Sequence, residues 1–178
     1  MDLDSLFADL ENAFEAERRA DLLAASHELA EAELGEVGLA DRLCGAAGQR
    51  LQLAVRGGVV LAGVLLAVRG QHVLLREDSG TQALVPLRSV IAAWPLGLKA
   101  VSPEGGVHER SLRSLMRALV RRGVVVRLSL LGVELAGRPV RVGADHVDVV
   151  VAGGAAMGGG VNGRVSVALD AVDVLRLH

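Results

Sequence analysis

From residue 50 onwards, apolar and polar residues alternate in short runs that are typical of β-strands. Turn-forming residues such as Gly57-Gly58, Arg69-Gly70 and the triplet at 78–80 separate these runs. The pattern predicts strands at 51–56, 59–68, 72–77, 82–87, 90–94, 124–130, 133–141, 146–151, 164–169 and 172–177. Apolar residues at helical spacing predict a helix at 39–47, before the first set of strands, and another at 109–122, before the second.

The two sets of strands carry the same sequence pattern. Residues 58–75 read GVVLAGVLLAVRGQHVLL, and residues 132–149 read GVELAGRPVRVGADHVDV. Gly63 and Gly137 are 74 positions apart, and so are His72 and His146. Because a constant spacing preserves the alternation of buried and exposed side chains, the two segments should form equivalent strands. Five short antiparallel strands must curl to bury a face, so the sequence predicts two tandem five-stranded small barrels, each preceded by a helix.

The first 36 residues differ from the rest of the chain. They hold eleven acidic residues and two arginines, a local charge of −9, whereas residues 37–178 hold seventeen basic and ten acidic residues, a charge of +7. Apolar residues on one stripe predict an amphipathic helical arm. We expect this stripe to mediate self-association, because its side chains are removed from water only when they pack against a partner. The stripe consists of Leu3, Leu6, Phe7, Leu10 and Phe14.

The opposed charges indicate that the arm folds onto the basic body or competes with an acidic partner for it; a solvated helix is the plain alternative. We therefore divide the chain into the arm at 1–36, a helix with the first barrel at 37–98, and a linker, helix and second barrel at 99–178.

Composition limits the class of protein. Of the 178 residues, 51% are apolar and 2% aromatic, so the core must consist of Val, Leu and Ala. The single cysteine, Cys44, permits neither an internal disulfide nor a thiolate metal cluster. The N-terminus lacks the pattern of a secretory signal, and the longest apolar run, 58–68, is shorter than the roughly 20 residues of a membrane-spanning helix. We expect a cytoplasmic protein without a membrane span.

A helix followed by five strands, the second of them long and bent at a glycine, resembles the Sm-like fold. The resemblance is carried by 58–75 and 132–149, which are similar to the glycine-containing Sm signature, and it covers most of 40–95 and 110–177. The whole chain also resembles actinobacterial proteins with an acidic helical N-terminus, some of which are labelled Fis-family regulators. A Fis-type regulator implies a C-terminal helix-turn-helix, whereas the pattern here predicts strands.

The resemblance to Sm-like proteins implies an RNA pocket between two loops. Asp145 stands at the position of the family's aspartate, but Asp148 stands where an asparagine is expected, and Gln71 and Leu74 hold these positions in the first repeat. The Arg-Gly pair of the second loop is missing in both repeats. Aromatic rings, on which single-stranded bases stack, are scarce. These departures disfavour RNA binding at that pocket.

Residue types that carry catalysis or bind metals stand alone in the sequence. His72 and His146 each lack a second ligand at metal-binding spacing. Asp145 and Asp148, three residues apart on a strand, point to opposite faces and cannot act as an acid/base pair. The glycine-rich segment 153–163 links two strands and lacks the Gly-Lys-Ser/Thr ending of a phosphate loop. We therefore predict that the protein is not an enzyme, with no cofactor, metal or small-molecule substrate.

The helix at 109–122 carries the best candidate for a charged binding surface. Arginines at spacings of three and four residues line one face of this helix, opposite an apolar face. Such a stripe can contact phosphates, an acidic membrane surface or an acidic protein segment, and a solvated outer face is the plain alternative. The arginines are Arg110, Arg113, Arg117 and Arg121, with Arg122 beside them.

These observations favour a non-catalytic adaptor or regulatory module that acts through protein–protein contacts and self-association. The alternative is a nucleic-acid-binding regulator, of RNA or DNA, that uses the arginine stripe. Pro86 lacks a backbone donor within the predicted fourth strand, so we expect that ring formation by strand addition through the first barrel is disfavoured and that the arm mediates assembly instead.

Overall fold

The computed structural model describes Arg18, Arg19, Gly35 and the residues 37–102, 111–151 and 163–177. The chain divides into two compact units, Met1–Gly38 and Leu39–His178. In the first unit the described residues are Arg18, Arg19 and Gly35, which are helical, and Val37 and Gly38, which are not. The apolar stripe from Leu3 to Phe14 lies outside the described residues. The second unit contains the strands and two helices.

The second unit contains helix α1 (Leu39–Gly45) and helix α2 (Leu112–Arg122), each followed by five strands. The first five strands are β1 (Arg50–Val55), β2 (Val59–Arg69), β3 (His72–Glu77), β4 (Gln82–Pro86) and β5 (Val90–Trp94). The second five are β6 (Val126–Leu130), β7 (Val133–Val142), β8 (His146–Val151), β9 (Gly163–Ala168) and β10 (Val174–Leu177). The prediction of a mainly β protein with helices is confirmed.

Helix α2 has a capping residue at each end. The Ser111 hydroxyl accepts a hydrogen bond from the backbone N–H of Ser114, and Gly123 ends the helix in the left-handed conformation, with φ 64°. Leu112, Met116 and Leu119 are buried, so the predicted apolar face packs against the sheet.

The ten strands of the described residues belong to one antiparallel sheet, in the order β5-β1-β2-β3-β4-β10-β6-β7-β8-β9. Each half has the same internal order: its fifth strand, then its first, second, third and fourth. The halves meet where β4 of the first half pairs with β10 of the second, a junction that we call the internal joint. The described sheet is open, because β5 and β9 are its two end strands.

The two halves repeat each other residue by residue. Gly63 and Gly137 lie at the same place on β2 and β7, and a side chain at either position would collide with the neighbouring strand, at Arg76 and Val150 respectively. Both β2–β3 and β7–β8 have an irregularity in register, after Leu65 and after Pro139. These pairs of positions are again 74 residues apart, as the sequence spacing predicts.

The two apolar cores share residues across the internal joint. Val174 of β10 belongs to the core of the first half, and Leu84 of β4 packs against the core of the second. Small β-domains bury too little surface to be stable alone, so shared burial stabilises both halves.

Pro86 limits the pairing of strand β4, and the expectation that ring formation through the first barrel is disfavoured stays a prediction. Strand β4 is paired on both sides, with β3 and with β10. The ladder with β10 covers Gln82, Ala83 and Leu84 and stops before Pro86, so the missing donor shortens the ladder without preventing strand addition.

Candidate protein-binding edges

The internal joint shows how a fourth strand and a fifth strand of this fold pair with each other. Leu175 pairs with Leu84, Arg176 with Ala83, and Leu177 with Gln82. Leu175 and Ala83 are fully buried there. Two clusters of charged and polar groups accompany this short ladder.

The first cluster surrounds the carboxylate of Asp173, which is fully buried. The Asp173 carboxylate accepts hydrogen bonds from Arg56 Nε (3.0 Å), Ser89 Oγ (2.9 Å) and the backbone N–H of Leu131 (2.9 Å). Arg56 and Ser89 belong to the first half, whereas Asp173 and Leu131 belong to the second. The carboxylate is therefore satisfied only when both halves are in place.

The second cluster surrounds Arg176 of β10. Its guanidinium group donates to both carboxylate oxygens of Glu77, at 3.0 and 3.2 Å, and to Ser129 Oγ at 3.1 Å. A weaker contact of 3.4 Å reaches Glu134. Paired hydrogen bonds of this kind fix orientation as well as adding charge attraction, so Arg176 sets the register of β10 on the first half.

A third group of contacts joins the turns beside the ladder. Arg88 of the first half donates to the carbonyl oxygens of Leu169, Asp170 and Val172 in the second. The turn at Gly57 lies so close to Gly132 that a side chain on Gly57 would collide with the backbone of the second half.

The free edge at β5 presents apolar side chains where the internal joint has charged ones. The registers of β5 on β1 and of β10 on β6 make Ile91 equivalent to Asp173, and Trp94 equivalent to Arg176. Ile91 is 64% exposed and Trp94 39% exposed. Val60, at the position equivalent to Glu134, is 54% exposed. Strand β5 therefore presents exposed apolar side chains, and its outer edge pairs with no strand of the described part of the chain.

The free edge at β9 offers backbone hydrogen-bonding groups. Leu169 N–H donates to the carbonyl oxygen of Asp145 at the end of the β8–β9 ladder. Because donors alternate along an antiparallel strand, the N–H groups of Val165 and Val167 also face β8, and those of Arg164, Ser166 and Ala168 face outward. The Ser166 hydroxyl donates to Asp148 at 2.7 Å.

The predicted arginine stripe is divided in the structure. Arg117, Arg121 and Arg122 are exposed on α2, whereas Arg113 is half-buried and its Nε has no hydrogen-bond partner among the described residues. Arg110 lies outside the described residues. The pKa of the Asp145 carboxyl is lowered, chiefly by its hydrogen bond with His146, with a smaller contribution from the charge of Arg113.

The two equivalent histidines occupy the starts of β3 and β8, as the spacing predicts. His72 is buried, and the ring of His146 lies 2.9 Å from the Asp145 carboxylate. Within the described ranges, no three His, Cys, Asp or Glu side chains lie close enough together to hold a metal ion. In that same part of the chain, no helix is both long and apolar enough to cross a membrane.

The two loops at which the Sm-like resemblance implies a pocket are joined by a hydrogen bond in the same way in both halves. Leu87 N–H donates to the Gln71 carbonyl at 2.8 Å, as Leu169 N–H does to that of Asp145 at 2.7 Å. Asp148 is buried and bonded to Ser166, which leaves its carboxylate facing the sheet. The segment 152–162 of the glycine-rich loop lies outside the described residues.

Sequence reasoning missed the residues of the internal joint. The missed residues lie in or beside apolar strands, mostly near the strand ends, where a charged side chain is expected to be exposed. They are Asp173, Arg176, Glu77 and Arg56. One signal was present: the last strand places Asp173 and Arg176 among Val and Leu residues, and a charge within a buried strand requires a partner.

No protein-family model matches the chain, and no curated protein matches it.

Proposed function

We propose that this protein is a non-catalytic adaptor or regulatory module that binds protein chains along the free edges of its sheet. The observation that carries the proposal is the exposure of the apolar side chains of Ile91 and Trp94 on β5, whose outer edge pairs with no strand among the described residues. Unpaired edges invite pairing with another strand, and proteins that avoid such pairing place charges or prolines along them. Within β5 itself, 90–94, there is no charged residue and no proline.

The proposal includes the architecture predicted from the repeats. Each half follows the strand order fifth-first-second-third-fourth, with a helix before it and a glycine at the centre of its long second strand. This arrangement supports an Sm-like barrel in each half. The internal joint then supplies an example, within one chain, of the strand pairing by which the module binds partners.

The test is retention of proteins from a lysate of the source cells, treated with nuclease, on immobilised chain. Ile91→Lys places a charge on the β5 edge and should abolish retention. Leu66→Lys is the matched control, because Leu66 is also apolar and exposed (37%) but lies beyond the part of β2 that pairs with β1. The proposal is supported if some proteins, copies of this chain included, bind the wild type and Leu66→Lys but do not bind Ile91→Lys. The proposal is contradicted if the wild type and both variants retain the same proteins, or if none of the three retains any protein.

A second candidate function rests on α2. Three exposed guanidinium groups, on Arg117, Arg121 and Arg122, lie within the last two turns of this helix. Such a cluster favours contact with phosphates, and its affinity for nucleic acid should fall steeply as salt rises. Replacement of the three arginines by glutamine should remove binding to mixed RNA or DNA at low salt. Binding that is unchanged in this variant rejects the helix as the nucleic-acid surface.

A further inference from the structure

Three arginines lie on the surface of the second half that faces away from its core. Arg127 of β6 is paired with Ala136 of β7, and Arg138 lies two residues further along β7, on the same side of the sheet. Arg138 is paired with Val150 of β8, which is paired in turn with Arg164 of β9. The apolar residues that alternate with these along the strands pack in or against the core of the second half, so the arginines point outward.

These side chains form a mixed surface of charged and apolar groups. Arg138 and Arg164 are exposed, whereas Arg127 is half-buried. Val150, between the two exposed arginines, is 37% exposed, and Ala136 is exposed as well. We call this surface the basic face, and it consists of Arg127, Ala136, Arg138, Val150 and Arg164.

The charge of the basic face is not balanced by the described residues. None of them forms a salt bridge or a side-chain hydrogen bond with its three arginines. Glu134 and Asp148, on the same side of β7 and β8, are bonded to other side chains. The segment 152–162, which joins β8 to β9, contains no charged residue. The three guanidinium groups are therefore available to an anionic ligand.

The first half shows that the fold does not need this charge. At the equivalent places on β1, β2 and β4 the first half has uncharged residues: Gln52 for Arg127, Val64 for Arg138 and Gln82 for Arg164. On this side of the first half, Arg50 is bound to Asp78, and Arg76 is exposed. The clustering of three uncompensated arginines is thus specific to the second half.

The spacing of groups across the basic face matches that along a helix. Neighbouring strands lie about 4.8 Å apart, so Arg138 and Arg164 are separated by roughly 10 Å, with Val150 midway between them. On an α-helix, residues i and i+7 share a face and lie about 10.5 Å apart along the axis, with residue i+3 or i+4 between them. A helix with an acid, an apolar residue and an acid at these positions therefore meets all three side chains.

We propose that the basic face binds an acidic amphipathic helix of another protein, laid across β7, β8 and β9. Its carboxylates bind Arg138 and Arg164 through paired, charge-assisted hydrogen bonds, and an apolar side chain between them packs on Val150. Arg127, diagonal to Arg138 on the adjacent strand, receives a further carboxylate. The basic face and the β5 edge lie at opposite ends of the strand order, so this inference does not depend on the proposed function.

The chemistry of the basic face favours a protein helix over a nucleic acid. The aromatic residues of the chain are Phe7, Phe14 and Trp94, so the second half has no Phe, Tyr or Trp on which an unpaired base can stack. Instead, the aliphatic side chain of Val150 separates two guanidinium groups. An amphipathic helix supplies apolar residues between its acids, whereas a phosphate backbone has no counterpart for them.

The test is the binding of a fluorescently labelled model peptide to the full chain, followed by anisotropy at low salt. The peptide repeats the heptad Glu-Ala-Ala-Leu-Glu-Ala-Ala, which places glutamates on one helical face with leucine between them. Two further probes carry the same charge: this peptide with every leucine replaced by glutamine, and a single-stranded RNA of mixed sequence. Wild type should bind the leucine peptide more tightly than the glutamine peptide.

The main variant replaces the three arginines by glutamine, the residue that the first half has at two of the equivalent positions: Arg127→Gln, Arg138→Gln and Arg164→Gln. Affinity for the leucine peptide should fall about tenfold or more, because three exposed ion pairs, each contributing a few-fold, are lost. Circular dichroism checks that the variant is folded. If it is not, Arg138→Gln and Arg164→Gln made singly, at exposed positions, should each weaken binding about two- to threefold.

A matched control removes the same charge from exposed basic residues of the first half. Its affinity for the leucine peptide should stay within about twofold of wild type, because these side chains lie outside the basic face. The substitutions are Arg69→Gln, Arg76→Gln and Lys99→Gln.

The inference is overturned if wild type does not bind the leucine peptide, if the arginine variants bind it as wild type does, or if the control loses affinity equally. It is also overturned if the glutamine peptide binds as tightly as the leucine peptide, which indicates contact by charge alone. A larger loss of affinity for RNA than for the peptide in the main variant identifies a phosphate-binding surface and rejects the helix.

The proposed function is tested separately by Ile91→Lys, which should bind the leucine peptide as wild type does. If Ile91→Lys loses the peptide, the peptide occupies the β5 edge and this inference is wrong while the proposed function stands. If the peptide results are as expected but retention of lysate proteins does not depend on Ile91, only the proposed function is wrong.

Discussion

At the scale of single residues, one buried carboxylate connects the two halves of the unit. Asp173 is fully buried and accepts from Arg56, Ser89 and the backbone of Leu131. The Arg56 side chain is 37% exposed and stays partly hydrated, so the main cost of removing the Asp173 carboxylate is that the fully buried Ser89 hydroxyl loses its acceptor. Its neighbour Asp170 is exposed and offers a comparison within the same turn.

We predict that Asp173→Ala lowers the free energy of unfolding by about 1–3 kcal/mol, the cost of leaving a buried hydrogen-bonding group without its partner, here the hydroxyl of Ser89. Urea denaturation measures this change. Asp170→Ala, the control, should change the free energy by less than about 0.5 kcal/mol because it removes an exposed side chain. Equal effects of the two variants would show that the Asp173 network does not stabilise the joint.

Leu131 has a backbone conformation that its side chain disfavours. Its φ is 47°, in the left-handed region, and its side chain is 61% exposed. In the first half the equivalent turn uses Gly57 and Gly58, both with positive φ. The turn between β6 and β7 is thus strained at Leu131, whose exposed side chain gains little stabilisation from burial.

Leu131→Asn should raise the free energy of unfolding by about 1 kcal/mol, because asparagine adopts the left-handed region more readily than leucine. Leu98→Asn is the control, since Leu98 is also exposed but has no positive φ. Thermal or urea denaturation of both variants tests this. Destabilisation by Leu131→Asn would mean that the leucine side chain contributes more than the strain costs.

At the scale of elements, the repeat made most of the strand order predictable. The spacing of 74 residues predicted that Gly63 and Gly137 lie on equivalent strands, and alternation placed nearly all the strands within a few residues of their observed bounds. The pairing of β4 with β10 was not predictable, because alternation does not say which edge a strand joins. Pro86 lacks the donor that would extend this pairing, and the ladder with β10 ends before it.

The two central glycines provide a prediction for the strands. Gly63→Ala and Gly137→Ala should each lower the free energy of unfolding by about 1–3 kcal/mol, because the added methyl group meets the backbone of the adjacent strand. Gly97→Ala is the control, since nothing lies within 4 Å of a side-chain carbon there and its φ is ordinary. The comparison is made by urea denaturation. A neutral result at both strand positions would contradict the close approach of β2 to β3 and of β7 to β8.

At the scale of the whole molecule, one sheet and a shared core join both halves. Val174 packs in the core of the first half, and Leu84 against that of the second. The sequence predicted two similar halves but not this interdigitation, which depends on contacts far apart in the chain. The candidate edges were likewise hidden, because Ile91 and Trp94 look like core residues until the sheet shows that β5 is an end strand.

The shared core predicts cooperative unfolding of the two halves. The measurement uses Ile91→Lys, so that association between copies does not interfere. In this variant the urea transition followed by Trp94 emission should coincide with the transition followed by far-UV circular dichroism. Trp94 reports on the first half, whereas circular dichroism reports on all strands and helices. Separate transitions would show that the halves fold independently and that the joint contributes little.

The most direct test of the central claim is the solvent accessibility of Trp94 as protein concentration rises. It is the chain's single tryptophan, stands on the free β5 edge and is 39% exposed in one copy. If β5 pairs with a strand of another copy, Trp94 emission should move to shorter wavelength and acrylamide quenching should fall as copies associate, while Ile91→Lys keeps the accessible value throughout. Equal quenching of wild-type Trp94 at all concentrations, including those at which the chain associates, would contradict the claim that β5 is the binding edge.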